Sequence, residues 1–149
     1  MRLTTKTQSL FHKEHQEMAY QNIPDELNQL SNEIIGLAIK VHKALGPGLL
    51  ESVYELSLLK ELSSRNVNVK KQVTIPVLYK GEDLNAEFKI DILVENEIVI
   101  EVKAVEILLP VHKAQLLTYL RLSEKKLGYL INFNVPKLID GFNRIVNKF

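Results

Sequence analysis

The chain has 149 residues, 46% of them hydrophobic and 25% charged, with a formal net charge of +1. This length predicts one domain with a buried core, and the near-neutral charge argues against broad electrostatic binding of nucleic acid. The absence of cysteine excludes disulfides, thiolate nucleophiles, iron–sulfur clusters and Cys-ligated zinc. No apolar run approaches the roughly 20 residues of a membrane span, and the N-terminus lacks the apolar core of a signal peptide. A cytoplasmic protein that does not associate with membranes is expected.

The first half of the chain predicts two helices after a polar start. Residues 1–24 are polar and aperiodic, which indicates a loose arm or a short accessory helix. From Asp25, apolar residues recur three or four apart and predict a helix that "LGPG" at 45–48 ends. A second helix is expected over residues 49–64. These apolar positions are Leu27, Leu30, Ile34, Ala38, Val41 and Leu45 in the first helix, and Leu50, Val53, Tyr54, Leu58 and Leu62 in the second.

The pattern then changes to the period of β-strands. Strands are predicted over 69–80 and 84–94, with a turn at Gly81, and a third over 98–105 after the polar connection 95–97. Pro110 can open a helix that extends to about Leu122. The remaining segments predict a short buried strand at 127–133 and a closing helix at 136–149. Residues 25–149 are therefore expected to form one α/β domain with a mixed sheet.

Three charged residues, Asp91, Glu101 and Lys103, lie within the two most apolar predicted strands, 84–94 and 98–105. Charged side chains are rarely buried without a partner. If 95–97 is a hairpin loop, Val94 pairs with Ile98 and Asp91 lies opposite Glu101, so their Cβ atoms approach within about 4.5–5.5 Å. Such carboxylates repel and raise each other's pKa unless a cation lies between them. Lys103 lies on the same strand face as Glu101. The three residues therefore predict either a structural ion pair, in which Lys103 bridges both acids, or a site where the acids bind a divalent metal.

Polar residues on the two neighbouring helices admit a structural interpretation one by one. His112, Gln115 and Tyr119 form one stripe, because they are three and four residues apart. Separately, they are typical of a capping histidine, a surface glutamine and a core tyrosine. Glu51, in the first turn of its helix, is favoured there by the helix dipole.

Together, these segments carry a family resemblance. "LGPGLLESVYELSLLKEL", "FKIDILVENEIVIEVKAVEILLPVHKAQLLTYLRL" and "GYLINFNVPKLIDGFNRIVN" closely resemble the GxxExxY family, which is grouped with the PD-(D/E)XK nuclease superfamily. The resemblance extends from about residue 30 to the end. It implies an α/β fold with a restriction-endonuclease-like core, in which a mixed four-stranded sheet is flanked by helices.

The resemblance also assigns site residues. Asp91 and Glu101 match the two acids of the superfamily motif, and Lys103 matches its lysine. Glu51 matches the helix acid of members such as Holliday-junction resolvases, while Gln115 and Tyr119 match the QxxxY element of RecB-type nucleases. One departure is Ile90, which stands where the superfamily name has proline.

What the resemblance implies is metal-dependent phosphodiester hydrolysis. Mg²⁺, or Mn²⁺ in its place, is expected on Asp91 and Glu101, with the backbone carbonyl of Val102 and the carboxylate of Glu51 as further ligands. Lys103 would orient a water or offset charge on the phosphate. Gln115 would position the substrate or Lys103, and Tyr119 would serve packing.

Three functions remain open, and the favoured one is a metal-dependent nuclease that acts on DNA. The second is a nuclease-like module that binds nucleic acid or assembles with partners without turnover. The third is a hydrolase of small nucleotides or other phosphate esters. The likeness to junction resolvases makes a homodimer an expectation.

Overall fold

The computed structural model describes residues 23–148, so the first 22 residues of the predicted arm lie outside the described part. Among the described residues, 35–148 belong to one compact unit and 23–34 to another. Helix α1 (Asp25–Leu45) crosses the boundary between them. Its first turn carries Asp25 and Glu26, whose negative charge the helix dipole favours.

The second unit continues from the end of α1 into a sheet with two further helices. Helix α1 ends where Gly46 and Gly48 take left-handed φ angles of 70° and 95°, a conformation that glycine adopts without steric cost. The elements that follow are α2 (Glu51–Ser63), β1 (Val69–Tyr79), β2 (Glu82–Val94), β3 (Ile98–Lys103), α3 (Pro110–Leu122), β4 (Leu127–Asn132) and β5 (Phe142–Val146). None of the helices within residues 23–148 is long and apolar enough to cross a membrane.

The five strands form one mixed sheet in the order β1-β2-β3-β4-β5. Strands β1, β2 and β3 are consecutive antiparallel neighbours. Strand β4 runs parallel to β3, and a parallel pair needs a crossover connection, which α3 provides. The α/β class with a mixed sheet is therefore confirmed.

The predicted closing helix at 136–149 is wrong, and so is the count of four strands. Leu138–Gly141 form a single 3₁₀ turn, and Phe142–Val146 pair antiparallel with β4 as a fifth strand. Gly141 lies directly against the end of β4, where any Cβ atom would clash with the Asn132 carbonyl oxygen. This close approach directs the chain along β4, and the β-branched Ile145 and Val146 favour a strand.

Apolar residues of α3 cover one part of the sheet. Leu116 and Leu120 pack with Val99 and Leu130 in a buried cluster. Gly128 on β4 allows this packing, because a Cβ atom there would lie only 3.1–3.3 Å from the Leu116 and Leu120 side chains. The helix that follows β3 is thus held firmly over the strand that carries Glu101 and Lys103.

Candidate active site

Asp91 and Glu101 meet where β2 and β3 separate. The predicted pair Val94–Ile98 is present, and the ladder continues to Ile92–Ile100. Beyond it, side chains replace backbone partners: the Asp91 N–H donates to Glu101 Oε1 at 3.2 Å, and the Val102 N–H donates to Asp91 Oδ2 at 2.9 Å. Each carboxyl group is therefore anchored on the other residue's strand.

The Glu101 carboxyl group is buried, with 7% of the residue exposed. Burial raises the pKa of Glu101 to about 9, and the negative charge of Asp91 adds to the increase. The charge of Lys103 acts in the opposite direction but does not cancel these effects. Without a bound cation, Glu101 is therefore protonated at neutral pH.

Lys103 does not form the ion pair that one interpretation of the sequence predicted. Across residues 23–148, the only pair of opposite charges within 4.0 Å joins Lys40 and Glu61, at 3.1 Å. Lys103 is half-buried at the end of β3 and affects Glu101 through its charge at longer range. The acids therefore lack a direct cationic partner in the described chain.

Tyr54 fixes the segment that leads into α2. Its hydroxyl donates to the Gly46 carbonyl at 2.6 Å and accepts the Leu49 N–H at 3.0 Å. Its ring is fully buried and stacks on Phe133 with a centroid distance of 4.7 Å. The tyrosine and the glycines of "LGPGLLESVY" thus set where α2 begins, and with it the position of Glu51.

Two acids of α2 lie one turn apart near the site. Glu51 is exposed in the first turn, and among the described residues it makes no hydrogen bond or ion pair with Asp91 or Glu101. Glu55 is partly buried, and burial raises its pKa, to which the charges of Asp91 and Glu51 contribute, while a hydrogen bond from Gln72 lowers it. The charges of Glu51 and Asp91 thus both act on Glu55, whereas no hydrogen bond or ion pair within the described chain joins Glu51 to the acidic pair.

Gln72 links Glu55 to Asp91, a contact that the sequence did not suggest. Its Nε2 donates to Glu55 Oε1 at 2.7 Å and to Asp91 Oδ1 at 3.3 Å. Because both oxygens accept from one nitrogen, they lie no more than about 6 Å apart. A spacing of four residues from Glu51 could have identified Glu55, whereas no motif identifies Gln72.

The backbone of Gln72 is unusual for a strand residue. Its φ angle is 50°, and left-handed backbone costs a non-glycine residue on the order of 1–3 kcal/mol. The flanking pairs Lys71–Ile92 and Val73–Ile90 place it opposite Asp91. The alternation of side chains between the two faces of β2 is also broken beside Asp91. Ile90 and Leu93 share one buried cluster, although residues three apart face opposite sides of a regular strand.

Helix α3 contributes one capping residue and one polar pair. His112 Nδ1 accepts the Leu109 N–H at 3.0 Å, so this histidine caps the helix. Gln115 Nε2 donates to the Tyr119 hydroxyl at 2.7 Å, and the Tyr119 ring stacks on Phe88 at 4.0 Å. Burial and the charge of Glu101 raise the pKa of Tyr119, so its hydroxyl lies within the field of the acids.

The carboxyl groups at this site suit a magnesium ion that keeps most of its water ligands. Within the described range, no group of three or more His, Asp and Glu side chains is arranged to hold a metal. Mg²⁺ seldom requires such a group, since one or two carboxylates usually bind it together with water and substrate phosphate. Asp91 and Glu101 supply two neighbouring carboxyl groups, and they fit that requirement.

Comparison with known proteins gives one family. A search of the curated proteins finds no match. The family model described as the PD-(D/E)XK nuclease superfamily matches residues 28–145, which covers β1 to β4, almost all of β5 and every candidate site residue. The chain therefore belongs to the PD-(D/E)XK nuclease superfamily.

Proposed function

We propose that this protein is a metal-dependent nuclease of the GxxExxY family that hydrolyses phosphodiester bonds in DNA. The observation that carries the proposal is the buried Glu101 carboxyl group beside Asp91, without a cationic side chain within 4.0 Å in the described chain. Without a cation this group stays protonated, because a buried carboxylate is costly unless it is paired or coordinates a metal. In a nuclease superfamily, a divalent metal is the partner that would allow Glu101 to ionise.

Mg²⁺ or Mn²⁺ would be held by Asp91 and Glu101, with the Val102 carbonyl and Glu51 as further ligands. The Val102 N–H points to Asp91, and the N–H and C=O groups of one strand residue face the same neighbouring strand. The carbonyl is thus directed toward the side where Asp91 lies. A bound divalent metal supplies Lewis acidity, which polarises the phosphate and makes water more acidic.

The remaining residues act on the substrate. Lys103, on the same strand face as Glu101, offers a positive charge that can orient the attacking water or offset the charge that develops on the phosphate. Gln115, paired with Tyr119, presents an amide to position the substrate. Glu101 must lose its proton to bind a cation, so metal binding releases a proton at neutral pH.

The partner in this proposal is DNA, and the setting is the cytoplasm, with a homodimer as the expected assembly. These points rest on the family resemblance and not on a basic surface, because the net charge is only +1. Binding would therefore depend on local contacts and on the metal rather than on a broad positive field.

The proposal is tested on labelled single-stranded, duplex, flapped and four-way-junction DNA and on matched RNA, each with Mg²⁺ or Mn²⁺. Cleavage of at least one DNA by the wild-type chain, abolished by EDTA and by Asp91→Asn, is the expected result. Binding without cleavage favours the module without turnover. Hydrolysis of dinucleotides or nitrophenyl phosphate esters, with DNA left intact, favours the small-substrate hydrolase.

A further inference from the structure

We infer that Gln72 is a positioning residue of the metal site: anchored by Glu55, its side-chain amide fixes the orientation of the Asp91 carboxylate. The inference rests on the proposed function, because it concerns how the metal-binding acids are held. It adds two residues, Gln72 and Glu55, that neither the family motif nor the polar stripe of α3 includes.

The two hydrogen bonds that Gln72 Nε2 donates differ in length. The shorter bond, 2.7 Å, joins Gln72 Nε2 to Glu55, and the longer one, 3.3 Å, joins it to Asp91. The short, charge-assisted bond to Glu55 restrains the Gln72 amide nitrogen, which has a second hydrogen to donate. The second N–H of Gln72 is then aimed at Asp91 Oδ1.

Asp91 is thereby restrained from two sides. Its Oδ1 accepts from Gln72, and its Oδ2 accepts the backbone N–H of Val102. A carboxylate with one bond could rotate, whereas two bonds at opposite oxygens fix the plane of the group. Partners that orient a metal ligand in this way commonly change metal affinity 10- to 100-fold when removed.

The backbone of Gln72 gives an independent reason to infer a role. A left-handed φ of 50° in a strand is suited to glycine or asparagine rather than glutamine. The position lies opposite Asp91, where β1–β2 pairing is interrupted. Strained backbone that persists beside such a site indicates that the side chain is required there.

The experiment measures Mn²⁺ affinity calorimetrically and thermal unfolding in EDTA, on the full chain. Gln72→Met keeps the length and the strain but removes the donor, and we expect at least a tenfold loss of affinity. Gln72→Gly also removes the strain, and we expect the same loss together with a melting temperature at least about 2 °C higher. A gain in stability with a loss of affinity is not what a purely structural residue would give.

Asn85→Gly is the matched control. Asn85 has a similar φ of 55° on the same hairpin, but it lies six residues before Asp91, about 20 Å along an extended strand. We expect no change in its Mn²⁺ affinity. Glu55→Ala should lower affinity in the same direction and add little to Gln72→Met, because both changes break one chain of contacts.

The outcomes distinguish a failure of this inference from a failure of the proposed function. A wild-type chain that does not bind Mn²⁺ overturns this inference and the metal-dependent function together. Wild-type binding with unchanged or tighter binding in Gln72→Met overturns the inference alone, since the amide would then be irrelevant or would compete with the metal. Loss of affinity in Asn85→Gly as large as in Gln72→Gly also overturns it.

Discussion

Glu101 shows how the position of one residue sets its chemistry. The side chain comes from the middle of an apolar strand, so its carboxyl group loses water, and Asp91 adds a second negative charge. Both effects favour the protonated form. The native chain therefore holds a proton at Glu101 up to a pH of about 9, whereas the unfolded chain releases it near its ordinary value of 4.5.

This difference predicts how stability depends on pH in EDTA. Between pH 4.5 and about 9, the native state binds more protons than the unfolded state, so the contribution of Glu101 is lost as the pH rises. Glu101→Gln cannot titrate, and its stability relative to the wild type should increase steadily from pH 5 to pH 9. Urea unfolding at several pH values measures this difference. A constant difference would show that Glu101 is ionised throughout.

Substitution of Lys103 distinguishes a structural role of this lysine from a catalytic one. With Mn²⁺ saturating, Lys103→Met should lower the turnover rate on a cleaved DNA by about 100- to 1000-fold, the usual loss for one well-placed electrostatic donor. Methionine retains most of the apolar stem, so packing changes little. Lys60→Met, an exposed site on α2, is the control.

Wild-type turnover in Lys103→Met would show that the lysine does not act in the reaction. If the lysine is structural, Lys103→Met should instead lower the stability of the metal-free protein, and metal should restore the loss. Melting temperatures with and without Mn²⁺ distinguish the two results.

At the scale of elements, local patterns were predictable and long-range register was not. The β2–β3 hairpin follows from the polar loop 95–97, and its predicted pair Val94–Ile98 is confirmed. The β1–β2 hairpin differs, because its register shifts between Pro76 and Leu78. Counted from the turn pair Tyr79–Glu82, Gln72 would lie opposite residue 89; the shift moves it opposite Asp91.

The prediction of a closing helix, where the structure has the fifth strand, failed for a related reason. The spacing of apolar residues in "PKLIDGFNRIVNKF" fits a helix, and only tertiary contact with β4 makes it a strand. Propensity and periodicity are weak where a neighbouring strand supplies backbone partners. The decisive residue is Gly141, whose close approach to Asn132 is not visible in any local pattern.

Gly141→Ala tests that close approach. The added Cβ atom meets the Asn132 carbonyl, and because backbone cannot yield like a flexible side chain, we expect a loss of about 2 kcal/mol or more in the free energy of unfolding. Gly36→Ala is the control: its Cβ would meet nothing within 4 Å. Within helix α1, that change should stabilise the fold by roughly 0.5–1 kcal/mol. Equal effects of the two substitutions in urea unfolding would contradict the close approach.

At the scale of the whole molecule, the site collects residues from distant parts of the chain. Helix α2 supplies Glu55, strand β1 supplies Gln72, and β2 and β3 supply the acidic pair. The sequence predicted the acidic pair because the β2–β3 hairpin is local. It could not predict Gln72, since that contact depends on how separate elements pack.

A metal that binds Asp91 and Glu101 should stabilise the whole molecule, because these ligands come together only in the folded chain. A ligand that binds only the native state contributes about 2.7 kcal/mol at one hundred times its dissociation constant, and Mn²⁺ or Mg²⁺ should raise the melting temperature accordingly. The double substitution Asp91→Asn with Glu101→Gln removes both the ligands and the cost of keeping the buried Glu101 protonated at neutral pH. It should therefore abolish the metal-dependent increase while leaving the melting temperature in EDTA equal to or above that of the wild type. Differential scanning calorimetry with and without each metal gives both values, and a full metal-dependent increase in the double variant would show that the metal binds elsewhere.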